Sequence, residues 1–99
     1  MADYSYQAEK LAQARSALML PHTGGVDASI AEAFRICALG FHRMNEGGLD
    51  DHARKWVRKI KELEKTSQLG SLTSDQQVEL SHTVNELADW FDRASHDQQ

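Results

Sequence analysis

The chain has 99 residues, 40% of them hydrophobic, and a formal net charge of −4 at pH 7. That length is typical of one domain, and the hydrophobic share together with a single proline argues against disorder. Because fifteen acidic residues outnumber eleven basic ones, the composition disfavours a general nucleic-acid or membrane binder.

Three breaks, at 21–25, 45–48 and 68–71, separate four segments in which apolar residues recur at helical spacing. We therefore predict an all-α fold: a compact, four-helix bundle-like single domain. The predicted helices cover about 3–20, 28–44, 49–66 and 74–94, with a frayed tail at 95–99. The first is rich in alanine, which favours helix, and Pro21 ends it because proline disfavours helical geometry in the preceding residue.

The second segment is apolar on more than one side. Its main stripe consists of Ile30, Phe34, Cys37, Phe41 and Met44. Ile36 and Leu39 lie off this stripe, which indicates either a central helix or a second buried contact. Ser29 and Glu32 have the spacing of an N-terminal capping box.

The third and fourth segments carry clear N-terminal signals. Asp50 and Asp51 favour the positive end of the third helix, and the short break before them predicts an antiparallel hairpin of helices 2 and 3. In the fourth segment, Thr73 and Gln76 have capping-box spacing, with Leu72 as the preceding hydrophobic staple. The stripe of the fourth helix consists of Leu80, Val84, Leu87 and Phe91.

A basic stripe on the third helix is the strongest charged pattern. Its residues recur at spacings of 4, 3 and 4 and are Arg54, Arg58, Lys61 and Lys65. Such a face is able to track phosphates, so the stripe is a possible nucleic-acid-binding site. The alternative is an ordinary solvated helix face, which we favour because Glu62 and Glu64 lie among the basic residues.

Catalytic and metal patterns are weak. Glu79, His82 and Glu86 have the spacing of carboxylate-rich metal sites in helical bundles, but they point away from the apolar stripe and lack a second copy. Cys37 lies on a core stripe, where a cysteine behaves as a small hydrophobe. We therefore predict no catalytic residues, no metal, no cofactor and no small-molecule ligand, and we expect a protein that is not an enzyme.

Apolar residues outside the expected core favour a role in protein binding. Ile36 and Leu39 on the second helix and Trp90 at the edge of the fourth are the predicted protein-interface residues. We expect a regulatory, adaptor or accessory protein-interaction module that forms a homodimer, because closed two-fold pairs are the commonest oligomers. The alternative function is a nucleic-acid-associated helical protein that uses the basic stripe.

The first seven residues lack the basic and apolar regions of a signal peptide, and the chain lacks an apolar run of the roughly 20 residues that span a bilayer. A lone cysteine fits a reducing compartment. We therefore expect a cytoplasmic protein with no membrane association.

Overall fold

The computed structural model describes residues 4–19, 26–42, 44 and 46–97. These residues form helices α1 (Ser5–Met19), α2 (Val26–His42), α3 (Asp51–Leu69) and α4 (Ser74–Asp97), with a single 3-10 turn at Glu46–Gly48. The all-α, bundle-like prediction is confirmed, and the described residues contain no strand. α3 and α4 each continue three residues beyond their predicted ends, so 95–97 are helical. The break at 21–25 and residues 98–99 lie outside the described residues.

Helix α1 runs opposite to α2 and to α4, and α3 runs opposite to α4. Contacts pair the beginning of one helix with the end of another: Gln7 with Gly40, Tyr4 with Phe91, and Asp50 with Trp90. Lys61 of α3 lies over the ring of Phe41 near the end of α2, so these two helices are also in contact. Close backbone approaches concentrate at the α1–α2, α1–α4 and α3–α4 corners. The fourth corner, between α2 and α3, is more open.

The core fills the space between the four helices. Its largest fully buried side chains are Leu11, Cys37, Ile60, Leu80, Val84, Leu87 and Phe91. Full burial of an aliphatic or aromatic side chain stabilises the fold by about 1.5–3 kcal/mol. The predicted stripe of α4 lies entirely within this set, so periodicity identified its buried face correctly.

Glycine permits a close approach between α1 and α2. A Cβ atom at Gly40 would lie 3.1 Å from the Cβ of Lys10, which is tighter than ordinary packing. The buried Gln7 amide donates a hydrogen bond to the Gly40 carbonyl at 3.1 Å. This bond offsets the desolvation of the Gln7 side-chain N–H and of the Gly40 carbonyl, whereas Gln7 Oε1 is buried with no hydrogen-bond partner among the described residues. The α1–α2 seam is therefore closed by backbone proximity as well as by apolar packing.

One predicted cap is confirmed and one is wrong. The Thr73 amide donates to Gln76 Oε1 at 2.9 Å, the Gln76 amide donates to Thr73 Oγ1 at 3.2 Å, and Leu72 is buried beside them. The Ser29–Glu32 box does not form, because α2 begins at Val26 and Ser29 is already helical. Glu32 instead forms an ion pair with Arg35.

Candidate interaction surfaces

The two predicted interface residues of α2 have different surroundings. Ile36 is only 8% exposed and belongs to the core, contrary to the expectation that it lies outside it. The reason is its position one turn before Gly40, on the side of α2 that α1 covers. Leu39 is 43% exposed, so it is the α2 residue of this pair that solvent reaches.

Tyr6 extends the exposed apolar area across to α1. It is 44% exposed, and the Lys10 ammonium lies 5.4 Å from the centre of its ring. Lys10 is the residue that lies against Gly40, the neighbour of Leu39 in the chain. Tyr6 and Leu39 therefore flank the same seam. We call Tyr6, Lys10 and Leu39 the Leu39 surface.

Charges of both signs surround the Leu39 surface. On α1, the Lys10 ammonium donates to the Gln13 side-chain oxygen, and the Gln13 amide donates to the Glu9 carboxylate. On α2, Arg35 pairs with Glu32, and the carboxylate raises the pKa of the arginine through its hydrogen bond and charge. The surface is thus a small apolar area bordered by charges of both signs, without a strong net sign.

Trp90, the third predicted interface residue, is half-buried and makes several contacts within its own chain. Its ring packs edge-on against Tyr4 and Phe91, with centroids 5.6 Å and 5.3 Å away. Its indole N–H donates to Asp50 Oδ2 at 3.1 Å. Asp50 Oδ1 also accepts from the Ala53 amide and caps α3, and these hydrogen bonds lower the pKa of the carboxyl group.

An aromatic cleft adjoins Trp90. It has a volume of about 410 Å³, and its lining includes His52 and the half-buried Trp56 from α3 as well as Arg93 from α4. The rings of His52 and Trp56 lie 6.1 Å apart. Trp56 lies at helical spacing from the buried residues Ala53 and Ile60, at the edge of the buried face of α3, which leaves it partly exposed.

The basic stripe of α3 is exposed along its length, at Arg54, Arg58, Lys61 and Lys65. Among the described residues, Arg54, Arg58 and Lys65 form no ion pair. Lys59, which flanks the stripe, instead pairs with Glu79 of α4. Lys61 is the residue of the stripe that contacts α2, since its ammonium lies 6.0 Å from the centre of the Phe41 ring.

A groove of about 230 Å³ follows the open corner between α2 and α3. We call it the α2–α3 groove, and its lining residues are Phe34, Cys37, Ala38, Phe41, His42, Ile60, Lys61 and Glu64. Burial, with a smaller effect of the Glu64 carboxylate, raises the pKa of Cys37 to about 12. The thiol is therefore protonated at neutral pH, which makes it a poor nucleophile.

A larger groove of about 620 Å³ lies between α1 and α4. Met19 and Val78 line it and are 77% and 69% exposed. Arg15 donates to the Asn85 side chain at 3.4 Å beside it. None of the predicted stripes indicates this groove. The sequence signal for it is Val78, an apolar residue on the polar side of α4.

Within the described residues, no three side chains of His, Cys, Asp or Glu are grouped so as to hold a metal ion. Nor does that part of the chain contain a helix with the length and apolar character needed to cross a bilayer. No protein-family model matches the sequence, and comparison with curated proteins and with solved structures found no match.

Proposed function

We propose that this protein is a small protein-interaction module that self-associates and serves a regulatory, adaptor or accessory role rather than an enzymatic one. The observation that carries the proposal is the exposure of Leu39, with Tyr6 on the other side of the same seam. Covering these side chains with a second copy removes apolar area from water, which is the main driving force of most protein association.

The charges around the Leu39 surface favour a second copy as the occupant. Two-fold symmetry places the same patch on both sides of an interface, so a patch must complement itself. A patch with Lys10 and Arg35 as well as Glu9 and Glu32 meets this condition, because a rotated copy is able to set acids against bases. A patch of one sign would repel its copy.

Interface size sets a further requirement. A standard interface covers about 800 Å² on each partner, which is roughly an eighth of the 6246 Å² that this chain exposes. Leu39 and Tyr6 alone do not cover that area. The proposed interface therefore extends over the outer faces of α1 and α2, with the two apolar residues near its centre, where the energetically dominant contacts concentrate.

Light scattering of the full chain over a range of concentrations tests the proposal. We expect the mass of two chains for the natural sequence and of one chain for Leu39→Glu, which places a charge at the centre of the interface. Val78→Glu is the matched control, since it adds the same charge at an exposed position of α4 and should leave the mass unchanged. Circular dichroism checks that both variants remain helical.

Two results would overturn the proposal. One is a single-chain mass for the natural sequence at every concentration tested. The other is a Leu39→Glu variant that associates like the natural sequence, since the contact would then lie elsewhere.

A nucleic-acid role is the second candidate, and the exposure of the basic stripe favours it. It predicts binding that weakens steeply as salt rises, because each phosphate contact releases counterions. The measurement is fluorescence anisotropy with random-sequence duplex DNA and single-stranded RNA at low and physiological salt. Reversal of Arg58 and Lys61 to Glu should abolish such binding. Absence of binding at low salt would eliminate this candidate.

A further inference from the structure

We infer that the α2–α3 groove binds an acidic amphipathic helix from another protein. This inference rests on the proposed function of protein binding and adds a second surface with a defined partner chemistry. At one corner of the bundle, α2 and α3 leave a groove between them instead of packing closely. The groove has an apolar floor, Lys61 and Glu64 on its α3 side, and the rest of the basic stripe beyond Lys61.

The floor is suited to apolar side chains. Phe34, Cys37 and Ile60 are buried at its base, while Phe41 is half-buried and Ala38 is exposed at its side. Its volume of about 230 Å³ is below the range of about 300–1,000 Å³ that is usual for small-molecule pockets. A space of this size fits one or two inserted side chains, as when an amphipathic helix docks its apolar face into a groove.

The basic stripe beside the groove is suited to acidic groups at helical spacing. Lys61 lines the groove, and the rest of the basic stripe continues along the same side of α3. From Arg54 to Lys65 the stripe extends about 16 Å at the helical rise of 1.5 Å per residue. A helix lying alongside repeats its own side chains every three or four residues, so its acidic groups would match this spacing.

The interior of the groove favours a protein over a nucleic acid. Glu64 lines the groove opposite the phenylalanines and would repel a phosphate placed there. Nucleic-acid bases bind single-stranded sites by stacking on exposed aromatic faces. Neither phenylalanine of the groove offers such a face, because Phe34 is buried and the Lys61 ammonium lies over the ring of Phe41. An acidic helix that inserts an apolar side chain leaves its charges outside the groove, beside the stripe.

The test is a selection from a display library of helical peptides whose surface positions are randomised, with the full-length chain as the target. We expect recovered peptides to carry apolar residues at i and i+3 or i+4 and Asp or Glu on the flanking positions. Their affinity should fall about tenfold or more for Lys61→Glu, because like charges then face each other. It should fall similarly for Ala38→Trp, which fills the groove. Lys55→Glu, an exposed reversal elsewhere on α3, is the matched control and should change affinity less than twofold.

The inference is overturned if the recovered peptides are basic or uncharged, or if no peptide is enriched. It is also overturned if Lys61→Glu and Lys55→Glu weaken binding equally. Duplex DNA that displaces the selected peptides would assign the groove to nucleic acid instead. Failure here is distinguishable from failure of the proposed function, because self-association through Leu39 is read separately by light scattering of the same variants.

Discussion

Two corners of the bundle are built differently. The first, which we call the aromatic corner, lies where the start of α1, the start of α3 and the end of α4 meet, and it consists of Tyr4, Asp50, Trp90 and Phe91. Its ring centroids lie 5.3–5.6 Å apart, and the Trp90 indole N–H donates to the Asp50 carboxylate that caps α3. The α2–α3 corner instead leaves a groove. The difference indicates that ring packing and a polar contact close the aromatic corner, whereas the α2–α3 corner keeps its buried side chains at the base of a groove and presents surface above them.

The largest effect expected from this comparison follows from removing the central ring of the aromatic corner. Phe91→Ala should lower the free energy of unfolding by about 3–5 kcal/mol, because the side chain is fully buried and its loss leaves a cavity. Urea denaturation followed by circular dichroism measures this change.

Phe41→Ala is the matched control at the open corner. This ring is half-buried and lines the groove, so its removal should cost less than half as much. Equal losses for the two variants would show that the groove side chains stabilise the fold as strongly as the aromatic corner does. The comparison between the corners would then be wrong.

The spacing of residues within a single helix predicted correctly, for two stripes, which side chains are buried and which are exposed. Spacing alone placed Leu80, Val84 and Leu87 in the core and placed the basic stripe outside it, and the structure has both arrangements. The contact of Trp90 with Asp50 joins residues 40 positions apart, so periodicity, which describes one helix at a time, does not detect it.

Helical periodicity did not indicate the groove, and for a related reason it did not decide between an exposed Ile36 and a second buried contact. A helical wheel gives the direction of a side chain but not the distance to the next helix. Close approach at Gly40 lets α1 cover Ile36, whereas a wider α2–α3 separation leaves Ala38 exposed. These distances depend on packing at several corners together.

A second test enlarges one residue at a closed seam and another at the open corner. Gly40→Leu should destabilise the protein by about 1–3 kcal/mol through overpacking, because even a Cβ there would lie 3.1 Å from Lys10. Ala38→Leu, two residues away on the same helix, projects into the groove and should change stability by less than about 0.5 kcal/mol. Thermal unfolding of both variants gives the comparison, and a stable Gly40→Leu variant would show that α1 and α2 separate easily.

The smallest expected effect concerns the polar contact of the aromatic corner. Asp50→Ala removes the cap of α3 and the acceptor of the Trp90 indole, so a loss of about 1–2 kcal/mol is expected at pH 7. Asp51→Ala is the control, since this exposed neighbour lies in the first turn and should cost less than about 1 kcal/mol. Urea midpoints of the two variants separate the cap from the general effect of negative charge at this helix end.

The stabilisation by the Asp50 carboxylate should decrease as the pH falls. Hydrogen bonds from Ala53 and Trp90 lower the pKa of Asp50 in the folded state, relative to about 3.9 in the unfolded chain. The stabilisation by its carboxylate is therefore fully present above the unfolded pKa and is lost as the pH falls through the folded pKa. The difference in unfolding free energy between the natural sequence and Asp50→Ala should be constant from pH 7 to about pH 5 and shrink below about pH 4. A difference that stays constant down to pH 2 would mean that the charge of Asp50 does not strengthen its two hydrogen bonds.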